Sequence, residues 1–296
     1  MADKTLNSLV GGGGGLPING TTPINTNEAK YESEGVTWLR SGVLETDIVN
    51  YPDATVNELV LDTGESFSIS GVGADTWGIT WDGSHFWVVG PANKKVYKYT
   101  VDGTYTGVSF STSAQSAYMR SIAWDGEFFW LTDSTYKTVY KYTAAGAYTG
   151  FSFSTANEIT SVDMNSIAWD GSHFWVSGST IGTVYKYTDA GVYTGESFPI
   201  KDSIGLTWDG EFFWATNNGE PKLSKYTQNW EELEMAPSGL GLIDTYMRGM
   251  AIVNSHLYMV GGDTKRVYKL LPTTGAGLPV ETTDPDTGLT IYTRIK

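Results

Sequence analysis

The chain has 296 residues, with 33 acidic side chains against 19 basic ones, a formal net charge of −14 and no cysteine. Without cysteine there is neither a disulfide framework nor a thiolate metal site. With so strong an acidic excess, nucleic acid and anionic membrane surfaces are not expected as partners, because phosphate binding needs clustered Lys and Arg.

No run of about 18 apolar residues occurs, so no membrane-spanning helix is expected. The opening MADKTLNSLVGGGGG lacks a basic stretch followed by a long apolar one, so Sec-type export is not expected either. Residues 1–57 hold five consecutive glycines, Gly11 to Gly15, then the turn-rich LPINGTTPINT and the phrase GVTWLRSGVLETDIVNYPDA. Such a segment is too polar and too broken by turn residues for a core, and reads as an extended arm.

From residue 58 onward the chain is an array. The phrase TGESF at Thr63 is followed by ITWDGSHFW at Ile79, IAWDGEFFW at Ile122, IAWDGSHFW at Ile167 and LTWDGEFFW at Leu206, with a degraded fifth, AIVNSHLYM, at Ala251. Each is trailed by a second phrase: VYKYT at Val96, Val139 and Val184, LSKYT at Leu223 and VYKLL at Val267. A period of about 43 residues marks stacked supersecondary units.

Within the first unit, Ile79 to Trp81 predicts a short strand and Asp82-Gly83 a tight turn. Phe86 to Val89 then predicts the return strand. After a loop with Pro91 and Asn93, Val96 to Thr100 alternates like a half-buried strand, Asp102-Gly103 turns again, and Tyr105 to Ser111 forms a fourth strand.

Four antiparallel strands in every 40 to 45 residues fit a β-propeller blade. The fourth-strand phrase recurs as TGVSF at Thr106, TGFSF at Thr149 and TGESF at Thr194, but none follows VYKLL. The stray TGESF at Thr63 therefore completes the last blade, closing the ring by pairing the two ends of the chain. With a divergent fourth strand around Trp230 to Met235, the expected fold is all-β: a five-bladed propeller over about residues 58–272, with extended arms at 1–57 and 273–296. Eight of the eleven tryptophans stand at two fixed repeat places (Trp81, Trp87, Trp124, Trp130, Trp169, Trp175, Trp208, Trp214), which predicts packing between blades.

Loops leading into each first strand gather around the funnel of a propeller, and here they vary most. Four residues before the repeat tryptophan stand Trp77, Arg120, Asn165, Ile204 and Arg248; two places earlier stand Asp75, Tyr118, Asp163, Asp202 and Tyr246. A variable loop set on a repeated frame is the pattern of a loop-borne site. The candidate binding residues are thus Trp77, Tyr118, Arg120, Asp163, Asn165, Asp202, Tyr246 and Arg248. The Tyr-Met-Arg triplet at Tyr118 and again at Tyr246 suits sugar or carboxylate recognition by stacking and forked hydrogen bonding. The structural alternative is that the methionines pack inward and an arginine pairs with a neighbouring aspartate.

His85, His173 and His256 share one repeat position, but each follows a hairpin turn in a different blade, so repeat inheritance explains them better than a metal site does. A glycosidase would draw a carboxylate pair from Asp75, Asp163 and Asp202. The aspartates of the four WDG turns are explained by turn chemistry. No GxSxG, HExxH, P-loop or GxGxxG context appears. Neither catalysis nor a cofactor is expected.

The early glycine run, WLRSGVLETD followed by YPDA, and the closing YTRIK resemble segments of bacteriophage virion proteins, chiefly tail or fibre components, and the repeats resemble generic propeller families that include five-bladed lectins. The resemblance implies arms that dock onto other virion proteins, an oligomeric setting in the particle and a displayed propeller, with host-surface glycan as its ligand. A free-standing lectin, a propeller glycoside hydrolase or lyase, and a ligand-free structural spacer are the alternatives.

Overall fold

The computed structural model describes residues 31–33, 36–38, 58–73, 75–116, 118–160, 164–178, 182–201, 203–217, 223–233, 244, 246–274, 280–283 and 290–293. In chain order, the hairpin β1 (Tyr31–Ser33) and β2 (Val36–Trp38) precedes a long strand, β3 (Glu58–Ser68). Blade 1 follows with β4 (Ile79–Trp81), β5 (Phe86–Gly90), β6 (Lys95–Tyr99) and β7 (Tyr105–Ser111). Blade 2 is β8 (Met119–Trp124), β9 (Phe128–Asp133), β10 (Thr138–Thr143) and β11 (Tyr148–Ser154). Blade 3 is β12 (Met164–Trp169), β13 (His173–Gly178), β14 (Thr183–Thr188) and β15 (Tyr193–Pro199). Blade 4 is β16 (Ser203–Trp208), β17 (Phe213–Asn217), β18 (Leu223–Tyr226) and the two-residue β19 (Glu232–Leu233). Blade 5 takes β20 (Met247–Val253), β21 (His256–Gly261) and β22 (Arg266–Thr274), and a last hairpin joins β23 (Val280–Thr283) to β24 (Thr290–Thr293).

Blades 1 to 4 are each a four-stranded sheet of sequence neighbours, and blade 5 has the order β20-β21-β22-β3. The ring is thus a five-bladed propeller closed by pairing the strand at its start with the last strand of its final repeat. Lys269 Nζ meets the Glu65 carboxylate at 2.9 Å, and Arg266 Nε donates to Ser66 Oγ at 2.9 Å across that closure. The hairpins β1–β2 and β23–β24 fall in a second compact unit, within which β2 lies beside β24. The rest of the two expected arms lies outside the described residues.

The repeat phrase explains the blade. In blade 2, Asp125 Oδ1 accepts the N–H groups of Glu127 (2.8 Å) and Phe128 (2.7 Å), while Oδ2 accepts the indole N–H of Trp130 at 2.6 Å. Asp82, Asp170 and Asp209 do the same for Trp87, Trp175 and Trp214, each at 2.6 Å. The glycine after each aspartate takes a positive φ, between 94° and 104°, that only glycine adopts without strain. Turn chemistry accounts for half of each aspartate's role; the bond to the indole was not visible in the motif.

Three of the tethered indoles pack on a phenylalanine in the second strand of the next blade. Trp87 meets Phe129 at 4.8 Å between ring centroids, Trp130 meets Phe174 at 4.5 Å and Trp175 meets Phe213 at 5.2 Å. Tyr258 meets Phe86 at 4.6 Å and carries the contact from blade 5 to blade 1. Lysines of the third strands stand over these indoles, with Lys98, Lys141, Lys186 and Lys225 at 5.2, 4.9, 5.3 and 4.9 Å. The other repeated tryptophans also pack against the clusters between blades, Trp81 on that of blades 5 and 1, Trp124 on 1 and 2, Trp169 on 2 and 3, and Trp208 on 3 and 4. Trp81, Trp124, Trp169 and Trp208 are only half-buried, rest on a phenylalanine of their own blade at 4.5–4.8 Å, and line an axial cavity of about 130 Å³.

Two local departures have clear causes. Trp230 is not part of a fourth strand: its N–H closes a turn onto Thr227 O, as Gly191 does onto Thr188 O, and its φ is 62°. In blades 1 to 3 that turn place is a glycine against which Phe67, Phe110 or Phe153 of the preceding blade packs, with no room for a Cβ. In blade 4 the indole of Trp230 fills the interface itself, stacked on Phe213 at 4.3 Å, so burial offsets the left-handed backbone. In blade 5 the hairpin has a two-residue turn, Asn254 and Ser255 at φ 49° and 63°, instead of the four-residue WDG loop. Met250, not Ala251, therefore stands opposite the counterpart of Val88, and Tyr258 replaces the repeat's second tryptophan.

The inner strands crowd together where they start. A Cβ on Gly78 would lie 2.8 Å from Arg120 O, on Gly205 2.2 Å from Arg248 O, and on Gly249 2.6 Å from Trp77 O. The same repeat place is Ser121 and Ser166 in blades 2 and 3, where Ser121 Oγ accepts Ile167 N–H at 3.4 Å.

Asp125→Ala should lower the unfolding free energy by about 2 kcal/mol, since it strands an indole N–H and two turn N–H groups. Glu127→Ala beside it should change stability by less than about 0.5 kcal/mol. Denaturant titration of the two variants reads the difference. Gly205→Ala should cost about 2 kcal/mol, because β16 must move away from β20. Ser121→Ala, which loses only a long hydrogen bond, should cost about 1 kcal/mol or less in the same assay.

Burial pushes the Asp82 and Asp170 carboxyls up. The indole N–H and the turn N–H groups outweigh it, and both end below the ordinary aspartate value. A carboxyl with a depressed folded pKa contributes stability above its unfolded value of about 3.9, and that contribution is lost as pH falls through the folded pKa. Unfolding free energy should therefore drop as the pH is lowered below about 4, and drop less in Asp82→Asn/Asp170→Asn, measured by urea titration at stepped pH.

Candidate functional site

First strands start and second strands end on one face of the ring, here the mouth; the WDG turns occupy the opposite face. The structure brings three of the sequence candidates into one cluster at the mouth. The guanidinium carbon of Arg120, from blade 2, lies 4.5 Å from the centroid of the Trp77 indole, and that of Arg248, from blade 5, lies 4.3 Å from it. Trp77 belongs to blade 1, so one arginine arrives from the blade on either side.

The crowding of inner strands places them there. Gly249 N–H donates to Trp77 O at 2.9 Å, which locks the start of β20 to the start of blade 1. Arg248 Nη1 donates to Asp75 Oδ1 at 2.5 Å and to Thr76 O at 2.6 Å. A Cβ on Gly262, in the turn after β21, would lie 2.7 Å from Arg248 Nε, so the guanidinium would have to shift to accommodate one.

Each Tyr-Met-Arg triplet divides its labour. Met119 and Met247 are buried, Arg120 and Arg248 lie over Trp77, and Tyr118 and Tyr246 project into solvent with 59% and 51% exposure. The structural alternative is thus realised in two respects: the methionines pack inward, and Arg248 pairs with Asp75. Both arginines nevertheless converge on one half-buried indole. Ile204, the blade 4 counterpart, is buried. Asp163 and Asp202 lie outside the described residues, as does the side chain of Asn165, so only Asp75 of the three candidate acids is placed, and it is engaged by Arg248.

Two features of the mouth were not picked out from sequence. Tyr136, in the turn after β9, is the most exposed large aromatic of the described residues at 62%. Ser134 N–H reaches Tyr118 O at 3.4 Å, so the Tyr136 turn and the Tyr118 loop adjoin. The cue was an aromatic in a polar turn, STYK, at a place where blade 1 has PANK. The second feature is three of the four buried polar atoms without a partner among the described residues, Thr76 Oγ1, Asp133 Oδ2 and Asn217 Oδ1, which stand at strand ends on the mouth side, the fourth being Trp230 Nε1 in the turn of blade 4. Native structures leave few such atoms, and a face that collects them is one where solvent or ligand completes the hydrogen bonding.

The other candidate chemistry lies elsewhere. His85 and His173 bond through Nδ1 to the hydroxyls of Ser84 (2.7 Å) and Ser172 (2.8 Å), and His256 bonds to Asn254 O at 2.9 Å. All three sit on the turn face, each satisfied within its own hairpin. The axial cavity, at about 130 Å³, is smaller than the roughly 300 Å³ at which ligand pockets begin.

No protein-family model and no curated protein matches the chain. Among solved structures it is similar to glutaminyl cyclase of Myxococcus xanthus, with a TM-score of 0.56 and 11% identity over 73% of this chain and 97% of that one. It is also similar to the PQQ-bound aldose sugar dehydrogenase of Streptomyces coelicolor (TM-score 0.47, 9% identity, 74% of this chain and 99% of that one). A third is virginiamycin B lyase of Staphylococcus aureus (TM-score 0.45, 14% identity, 87% and 84%). At such identities the first likeness carries the fold alone and the other two carry no argument; the chain is a five-bladed β-propeller.

Proposed function

We propose that the chain is a structural protein of a bacteriophage virion, in the tail, a fibre or another surface appendage, and that its propeller is displayed to bind host-surface glycan at the mouth. The observation that carries the binding part is the convergence of Arg120 and Arg248 on Trp77, on the same face as the exposed Tyr118, Tyr136 and Tyr246. Exposed tyrosines offer flat apolar area with a polar tip at low entropic cost, the combination that sugar rings stack on. The virion part rests on the terminal phrases, which imply docking to other particle proteins and an oligomeric setting. Binding is favoured over hydrolysis because Asp75 is tied to Arg248.

The test is binding of the labelled full chain to a broad glycan panel and to whole bacterial cells. Tyr118→Ala/Tyr246→Ala should weaken saturable binding about tenfold or more, from two lost stacking contacts. Val108→Ala, on the outer strand of blade 1, should leave it unchanged. Equal binding by the tyrosine variant and the wild type would exclude the mouth as the receptor site.

A further inference from the structure

We infer that the mouth takes a glycan chain along its length, with a first sugar ring seated at Tyr118 and Tyr136 on blade 2 and further rings running over Trp77 toward Tyr246 on blade 5. This deepens the reading of the mouth as a glycan site and rests on it. Tyr118, Tyr136 and Tyr246 are 59%, 62% and 51% exposed, and none of them lines the axial cavity. Tyr118 stands two residues before Arg120 and Tyr246 two residues before Arg248, and both guanidinium groups lie against Trp77. At no more than about 3.6 Å of chain per residue, each tyrosine backbone is within about 7 Å of that of its arginine. Tyr136 lies farther out on blade 2, and the bond from Ser134 N–H to Tyr118 O at 3.4 Å ties its turn to the Tyr118 loop. The aromatic side chains thus form a row across blades 2, 1 and 5.

Separate platforms on an open face recognise a ligand differently from a pocket. A pocket buries most of a small ligand and needs concave walls. Flat side chains spread over three blades instead suit a ligand that repeats one flat face along its length, as a chain of sugar rings does. Each stacking contact is modest alone, so affinity accumulates with the number of rings engaged. The tyrosines turn on only two torsions and the blades fix their backbones, so little is lost in ordering them.

Blade 2 carries a second, independent mark of a ligand. Asp133 ends β9 opposite Met119 in the β8–β9 ladder, which puts it beside the Tyr118 loop. Its side chain is buried: Oδ1 accepts Thr135 N–H at 2.7 Å, which shapes the turn that bears Tyr136, and Oδ2 has no partner among the described residues. At this repeat place blades 1, 3 and 5 have glycine, Gly90, Gly178 and Gly261, and blade 4 has Asn217. Blade 2 alone, among the described residues, joins a carboxylate there to two exposed tyrosines. A carboxylate only accepts, so whatever completes Oδ2 must donate, and sugars are rich in hydroxyl donors. Because Oδ2 is buried, a bridging water beneath the sugar ring carries that bond.

The experiment titrates the full chain with length ladders, from one sugar to eight, of α-glucan, β-glucan, mannan, galactan and poly-N-acetylglucosamine, and of any further polysaccharide that binds in the glycan panel. Affinity should rise about tenfold or more between two sugars and six, and should not depend on which end of the chain is capped. Tyr136→Ala should weaken binding about fivefold at every length, whereas Tyr246→Ala should do so only for the longer members. Both side chains are exposed, so both variants should melt as the wild type does. An affinity already complete at one or two sugars would overturn the extended ligand and leave glycan binding standing, as recognition of a terminal sugar. Unchanged binding by Tyr136→Ala would overturn the blade 2 subsite. Adsorption to whole cells that is lost when the cells are treated with protease, and kept when their glycans are oxidised with periodate, would put a protein partner in place of the glycan. Absence of binding to every ladder and to the panel would remove both the inference and the glycan reading.

Discussion

The second tryptophan of each repeat is the contact on which the ring depends. Its indole reaches into the next blade against a phenylalanine, its N–H is held by the aspartate of its own turn, and a lysine of the third strand stands over its face. These three restraints act on one rigid group, so they couple a turn, a register and a blade-to-blade spacing. Burying an indole contributes several times the free energy of an ordinary hydrogen bond. Burial sets how closely the blades pack, and the aspartate bond sets the angle at which the ring enters. Blades 1 to 3 use the whole device; blade 4 keeps the aspartate bond and the lysine on Trp214, and blade 5 the aromatic contact, Tyr258 on Phe86.

That device leaves the opposite face free to vary. On the turn side, aspartate, glycine and tryptophan recur because each performs one geometric task that no other residue type performs as well. On the mouth side the repeat imposes only smallness at one place, filled by Gly78, Ser121, Ser166, Gly205 and Gly249. The convergence this permits brings residues of three blades to one indole. A binding site assembled from loops on so rigid a frame needs little ordering when ligand arrives, which is where preorganised sites gain affinity.

Irregularities concentrate in blades 4 and 5, where the repeat is most degraded. Trp230 replaces a turn glycine and supplies from within blade 4 the aromatic surface that the preceding blade's phenylalanine supplies elsewhere. Blade 5 borrows β3 from the start of the chain, with Lys269–Glu65 and Arg266–Ser66 spanning the join. Closure through the chain ends removes two free sheet edges and makes the last blade as fully paired as the others.

Blade number, strand order and closure were determined by the sequence alone, because each follows from local chemistry repeated often enough to be counted: a WDG turn, an alternating third strand, a TG-initiated fourth. The mouth positions were legible as variable places on a repeated frame, and the inward methionines as one of two readings. Tertiary structure alone decided which of those places meet. Arg120, Arg248 and Trp77 are neighbours because blades 2 and 5 flank blade 1 and because small residues let the inner strands close up, neither of which is a property of any single repeat. The same holds for the indole bond of each turn aspartate, the exposure of Tyr136 and the inward path of Trp230. Each depends on a partner from a separate strand or blade, and pairwise distance across a ring is not encoded in the spacing of residues along one chain.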